Sequence, residues 1–291
     1  MRAFRRRRMR TLTTYLSFVR FSHTVFALPF ALTGALLAWR VHPFSWLQVW
    51  WIVVCMVGAR SAAMGFNRLV DAPFDARNPR TAMRELPRGA MSRREAVVFV
   101  AMASLVFLYG AWRLGPLCLA LAPVALGIVF WYSLAKRYTT YTQMFLGLAM
   151  AVAPVGGWLA AGGRGGPEPW LLGAAIGLWV GGFDILYACQ DVEFDRGHGL
   201  HSIPARFGIG PAIGLSRAMH AGTIAAMAAL WWAADLPAFY LGGVTVVGIL
   251  LAYEQSLVRR DDLSRVKTAF DLNGYVALVY FATTALAVWL G

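Results

Sequence analysis

The chain has 291 residues, is 59% hydrophobic and only 14% charged, and carries a formal net charge of +13. So apolar a composition excludes an ordinary soluble domain, and the way the charge is distributed argues against nucleic acid, the usual partner of a basic chain. Three cysteines, Cys55, Cys118 and Cys189, fall inside apolar runs with no metal-ligand spacing between them, which points to packing and not to a disulfide framework.

A basic segment, residues 1–20, opens the chain with Arg2, Arg5, Arg6, Arg7, Arg8, Arg10 and Arg20. Continuous apolar runs rich in Leu, Ala, Val and Gly follow at about 21–39, 46–66, 96–113, 116–135, 141–161, 170–190, 211–234, 237–257 and 270–290. Each is long enough to cross a bilayer as a helix, and none alternates with period two as a membrane barrel strand would. The first lacks a small-x-small cleavage site and reads as a span, not a signal peptide. The sequence therefore predicts one all-α, polytopic domain over 1–291 with nine transmembrane helices.

Basic residues gather in alternate connections. Arg77, Arg80, Arg84, Arg88, Arg93 and Arg94 follow the second span. Lys136 and Arg137 follow the fourth, Arg196 and Arg206 the sixth, and Arg259, Arg260, Arg265 and Lys267 the eighth; the opposite connections hold only Arg40, Arg113 and Arg164. This is the positive-inside pattern. It places the N-terminus in the cytoplasm and the C-terminus outside, and makes the inner (cytoplasmic) membrane the expected location. The basic N-terminus then serves as a topology signal and a contact for anionic lipid.

Two acidic motifs of one shape stand at span ends. The first comprises Asn67, Asp71 and Asp75; the second comprises Asp191 and Asp195. Carboxylates at i and i+4 share a helix face one turn apart, where they repel unless a cation lies between them. Both motifs are followed by a basic loop with Pro and Arg close to a Gly, ending at Gly89 and Gly208, a weak internal repeat. The motifs lie four spans apart, hence on the same cytoplasmic side, and two pseudo-equivalent halves would bring them across one cavity. An all-oxygen set with room for water suits Mg²⁺. That ion commonly bridges protein carboxylates to substrate phosphates, so the composite reads as a diphosphate site with Asp71, Asp75, Asp191, Asp195 and Asn67 as metal ligands. Lys136, Arg137 and Arg77 are candidates for the phosphate oxygens.

Further residues share these faces. Tyr132 and Lys136 are four apart at the end of the fourth span, where Lys136 would meet a leaving diphosphate and Tyr132 hydrogen-bond it; a basic pair ending a span is also an ordinary topology anchor. Asp184, Tyr187, Asp191 and Asp195 form one stripe if the sixth helix continues through them. Asp184, the deepest, is too costly to face lipid and is expected in the cavity, orienting an acceptor or paired with Arg60. His23, which opens the first span, is either a substrate contact or an interfacial histidine. His198 and His201 read as loop-ordering or phosphate contacts.

These features resemble the UbiA superfamily of intramembrane prenyltransferases: Asn67–Asp71–Asp75 matches its first motif, Asp191–Asp195 its second, and the Tyr132–Lys136 pair and nine-span plan reinforce both. The resemblance covers nearly the whole chain. It implies a bundle with a central cavity, Mg²⁺ and a prenyl diphosphate held by the two motifs, and a lateral opening for the lipid tail. It also implies attack by a hydroxylated aromatic acid on an allylic cation, as in quinone synthesis, with an aspartate of the second motif, Asp191 or Asp195, as the base that accepts the ring proton. Catalytic roles fall on Asp191, Asp184, Tyr187 and Lys136. Substrate contacts fall on Asn67, Arg77, Tyr132, Lys136, Arg137 and His23. The segment Phe21 to Phe30 departs from the Asp-Lys-Pro type of the ubiquinone enzymes and is similar to members linked to the futalosine route to menaquinone. 4-Hydroxybenzoate and 1,4-dihydroxy-6-naphthoate both stand as acceptors. Haem- or chlorophyll-type prenylation and a secondary transporter are the alternatives, although transporter sites usually lie near the bilayer midplane.

Overall fold

Among the residues that the computed structural model describes, 17, 18 and 21–291, every regular element is a helix. The side chains of residues 21–27 lie outside that description, and His23 with them. In chain order the helices are α1 (Phe21–Ala38), α2 (Trp46–Asp75), α3 (Arg93–Leu114), α4 (Pro116–Ala135), α5 (Thr142–Ala160), α6 (Glu168–Ala188), α7 (Val192–Gly197), α8 (Ile203–Phe207), α9 (Ile209–Ala233), α10 (Phe239–Leu257) and α11 (Val266–Leu290). Seven helical runs are long and apolar enough to cross a membrane: α2, α3, α4, α5, the run Glu168–Gly197 through α6 and α7, α10 and α11. The sequence predicts nine. Of the other two, α1 is described as an apolar helix only over Leu28–Ala38, and α9 is diluted by Ser216, Arg217 and His220.

The outward faces are apolar; Leu105, Val124, Ile249 and Leu278 are each more than half exposed. Such a surface is stable against lipid, and the chain is an integral membrane protein. Lipid offers no hydrophobic drive for helix association, so packing rests on close approach and on buried polar contacts. Both are present. A Cβ at Gly157 of α5 would overlap the Ala31 carbonyl of α1, and one at Gly34 of α1 would overlap the Pro154 carbonyl of α5. Side-chain bonds add to this: Trp179 Nε1 of α6 donates to Asn273 Oδ1 of α11 at 2.5 Å, and the Tyr240 and Tyr280 hydroxyls meet at 3.0 Å between α10 and α11. The central helix is α6, whose Leu172, Ala175, Ile176 and Trp179 are fully buried.

Two departures from regular helix shape the site. In α2 the helix does not stop where the apolar run does; it continues through the whole first motif to Asp75. Pro73 cannot donate to the Leu69 carbonyl and loosens that turn, and the neighbouring Val70 carbonyl accepts from Arg137 Nη2 at 2.6 Å instead. In α6 the helix ends at Ala188, and a 3-10 turn, Cys189–Asp191, precedes α7. The expected single stripe from Asp184 to Asp195 is thus interrupted. Gln190 Nε2 donates to the Tyr187 carbonyl at 3.2 Å, adding a side-chain bond to the tightened turn.

Candidate active site

The C-terminal turns of α2 present Asp71 and Asp75, both buried. Asp71 accepts from Lys136 Nζ at 2.7 Å, from Arg137 at 3.3 Å and from Asn67 Nδ2 at 3.2 Å. Lys136 and Arg137 follow the end of α4, where backbone turns fold the chain back. Arg137 also lies over the Phe74 ring, 5.3 Å from its centre. Asp75 receives Arg84 Nη1 at 2.8 Å on each oxygen.

The loop between α2 and α3 carries the link to the second motif. Asn78 builds its turn, its side-chain oxygen accepting from the Arg80 N–H at 2.9 Å. Thr81 Oγ1 donates to the Asp75 carbonyl at 3.2 Å. Glu85 accepts from Ser17 Oγ at 2.5 Å, and a Ser92–Glu95 capping box starts α3. From this frame Arg80 reaches across to α6. It donates to both oxygens of Asp191, from Nε at 3.2 Å and Nη2 at 2.5 Å, and from Nη1 to Tyr187 Oη at 2.7 Å. Partial burial is the largest single effect and works against the charge of this guanidinium, but Asp191 and Tyr187 together outweigh it and hold the Arg80 pKa above its ordinary value.

Asp195 accepts from Ser202 Oγ at 2.9 Å, and Ser202 in turn caps α8. The His201 N–H donates to the Lys136 carbonyl at 2.7 Å, tying the second motif's loop to the end of α4. Lys136 is the hub. Besides its bond to Asp71, it lies within electrostatic reach of Asp184 and Asp195.

One turn before Lys136, Tyr132 stands in the wall of an apolar cavity of about 770 Å³. Arg60 also lines it, and Ala63, Leu126, Ala149 and Gly177 carry its wall across α2, α4, α5 and α6. The hydroxyl of Ser133, beside Tyr132, is buried and makes no hydrogen bond among the described residues.

The structure thus gathers Asn67, Asp71, Asp75, Lys136, Arg137, Tyr187, Asp191 and Asp195 in one charged cluster, and Tyr132, one turn before Lys136, lies in the cavity wall. Asp184 forms no ion pair with Arg60; it lies within reach of Tyr132, Asp191 and Lys136 instead, because the α6 register turns it toward the end of α4. Arg77 is exposed and reaches no carboxylate. Arg80 and Arg84, further along the same loop, take that place, and the Asn78–Pro79 turn that aims them is the signal in the sequence for a built loop. His198 stacks on Phe194, centres 4.0 Å apart, with Nδ1 2.9 Å from the Phe194 carbonyl, which is loop ordering.

Among the described residues no three acidic, His or Cys side chains form a ready-made metal cage. The donors nonetheless fit a hard cation. Asp71 and Asp75 feel each other's charge, as do Asp191 and Asp195, and Asp184 and Asp191. Carboxylates so placed call for a cation, and with Asn67 the set is all oxygen, as Mg²⁺ prefers.

The UbiA prenyltransferase family model matches residues 27–288. The 4-hydroxybenzoate octaprenyltransferase of Salmonella paratyphi C is 31% identical over 246 residues, 83% of this chain and 84% of that one. Among solved structures, a UbiA homologue from Aeropyrum pernix is 37% identical, with a TM-score of 0.83 over 90% of this chain and 96% of that one. A UbiA homologue from Archaeoglobus fulgidus, bound to GPP and Mg²⁺, shares the fold at 19% identity, with a TM-score of 0.69 over 93% of this chain and 99% of that one. Motifs, fold and kinship agree: the chain belongs to the UbiA prenyltransferase family.

Proposed function

We propose that this protein transfers a polyprenyl group from a prenyl diphosphate to a ring carbon of a hydroxylated aromatic acid in quinone biosynthesis. What supports this reading is the clustering of two carboxylate motifs with the basic residues after α4, one turn beyond Tyr132 in the wall of an apolar cavity of about 770 Å³; we take the cluster as the mouth of that cavity. The mouth suits a diphosphate and the cavity its hydrocarbon chain. Relatives named for 4-hydroxybenzoate favour that acceptor, and the segment Phe21 to Phe30 favours 1,4-dihydroxy-6-naphthoate. In this reading the cavity is central to one nine-span domain over 1–291. The N-terminus and mouth are cytoplasmic, the C-terminus is outside, and the membrane is the inner one, following the alternation of basic loops.

Asp71, Asp75, Asp191 and Asp195, with Asn67, would hold Mg²⁺, which supplies positive charge to the diphosphate as the allylic C–O bond breaks. Lys136 and Arg137 bind the departing oxygens from the α4 side, assisted by Arg80 and Arg84. The walls from α2, α4, α5 and α6 keep water from the allylic cation. The electron-rich ring carbon ortho to the hydroxyl attacks that cation, and Asp191 or Asp184, beside Tyr187 and Tyr132, takes the ring proton.

Membranes carrying the protein are incubated with geranyl diphosphate, Mg²⁺ and each acceptor in turn, and the products weighed. Prenylated product from one acceptor, abolished by EDTA, is expected. Asp71→Asn and Asp191→Asn should each lower turnover by at least about 10²-fold while still reaching the membrane. Near-normal activity in both variants would overturn the metal assignment.

A further inference from the structure

Every strongly bound carboxylate of the site already has a cation of the protein's own. Asp191 is gripped by Arg80 and Asp75 by Arg84, each guanidinium bonding both oxygens of its partner. An oxygen lone pair given to a guanidinium is not offered to a metal, and a guanidinium so engaged does not grip a phosphate. A metal arriving alone must displace Arg80 and then sit beside its loose positive charge. A diphosphate arriving alone must pull Arg80 away and sit beside a bared Asp191. Arriving together, the two resolve both conflicts in a single exchange: the carboxylates turn to the metal and the guanidinia to the phosphate oxygens.

We infer that Arg80 and Arg84 are exchangeable counter-ions that make the site accept the metal and the diphosphate as a joint ligand and discriminate against either one alone. The inference rests on the metal–diphosphate reading above. The placement of the two arginines suits the task. Both belong to the α2–α3 loop and not to a spanning helix, and the Arg80 side chain is 37% exposed; its exchange releases the Tyr187 hydroxyl together with Asp191. The loop around them is braced by the Asn78 turn and the Ser17–Glu85 bond, so the exchange is confined to the side chains. Lys136 differs: it lies among Asp71, Asp184 and Asp195 and keeps an acidic neighbour whichever carboxylate is taken.

Linkage makes the coupling reciprocal: the factor by which diphosphate tightens the metal equals the factor by which the metal tightens diphosphate, commonly within about 5–150-fold. The test uses the full chain in lipid nanodiscs, Mn²⁺ as a spin-detectable metal, and geranyl thiolodiphosphate as an unreactive diphosphate. In the wild type, Mn²⁺ alone binds weakly, and the analogue tightens it on the order of tenfold or more. In Arg80→Gln, Asp191 is released, so Mn²⁺ alone binds several-fold tighter than to the wild type while the coupling factor falls toward one; Arg84→Gln repeats this at Asp75. Arg80→Lys, which keeps the charge and loses the two-pronged grip, falls between. Thermal melting checks that each variant is folded. If Arg80→Gln binds Mn²⁺ alone no better than the wild type and keeps the coupling, the exchange is wrong although the metal–diphosphate site stands. If the wild type binds neither probe under any condition, that site falls, and the exchange with it.

Discussion

Replacing Lys136 by Met separates the two duties of the hub, neutralising Asp71 and receiving the diphosphate. Lys136 Nζ lies 2.7 Å from an Asp71 carboxylate whose side chain is 4% exposed. Removing one member of a buried pair costs about 3–5 kcal/mol when the other is stranded. Asp71 is not fully stranded, because Arg137 at 3.3 Å and Asn67 at 3.2 Å remain, and two such bonds are worth about 0.5–1.5 kcal/mol each. The net loss of stability should be about 2 kcal/mol. Turnover should fall by about 10²–10³-fold, the usual effect of deleting a charge aimed at a developing anion. Adding Asp71→Asn removes the stranded charge, so the double variant should recover most of the stability and none of the turnover. Thermal unfolding in detergent and initial rates of prenyl transfer measure the two quantities. A Lys136→Met single variant that loses stability but keeps near wild-type turnover would refute the reasoning, since Lys136 would then serve only to neutralise Asp71.

Two other expectations follow from the packing. Ala149 lines the cavity, and Ala149→Phe should lower kcat/KM for long prenyl diphosphates much more than for geranyl diphosphate; an unchanged ratio would mean that the chain lies elsewhere. Gly157→Ala should cost at least about 1–3 kcal/mol because its Cβ meets the Ala31 carbonyl, whereas Gly156→Ala, whose Cβ would meet nothing within 4 Å, should melt like the wild type.

The helices were legible in the sequence because a lipid-spanning helix must be apolar without a break, and runs such as 116–135 coincide with α4 to the residue. The first motif was legible because α2 continues as one helix through Asn67, Asp71 and Asp75. The second was legible in composition but not in shape, since nothing in Cys189-Gln190-Asp191 announces a 3-10 turn. Arg80 and Arg84 were hidden among four arginines of one loop, Arg77, Arg80, Arg84 and Arg88. Which of them reaches a carboxylate depends on how the Asn78 turn and the Ser17–Glu85 bond fold that loop, a long-range outcome that residue spacing does not carry. The supposed Asp184–Arg60 pair failed for a related reason: two charges at similar depth on different helices meet only if both rotations about the helix axes agree.

One consequence of α2 reaches beyond catalysis. Its 30 residues extend for roughly 45 Å at 1.5 Å per residue, against a hydrocarbon layer of about 30 Å. The apolar run ends near Phe66 and the last nine residues carry the first motif, so in the proposed reading Asp71 and Asp75 stand beyond the oily layer while the same rod, through Ala59 and Ala63, forms the cavity wall. A charged, water-soluble reactant and an oily one can then meet without either leaving its own phase, and the stiffness of a single helix sets how far apart their reacting ends are held.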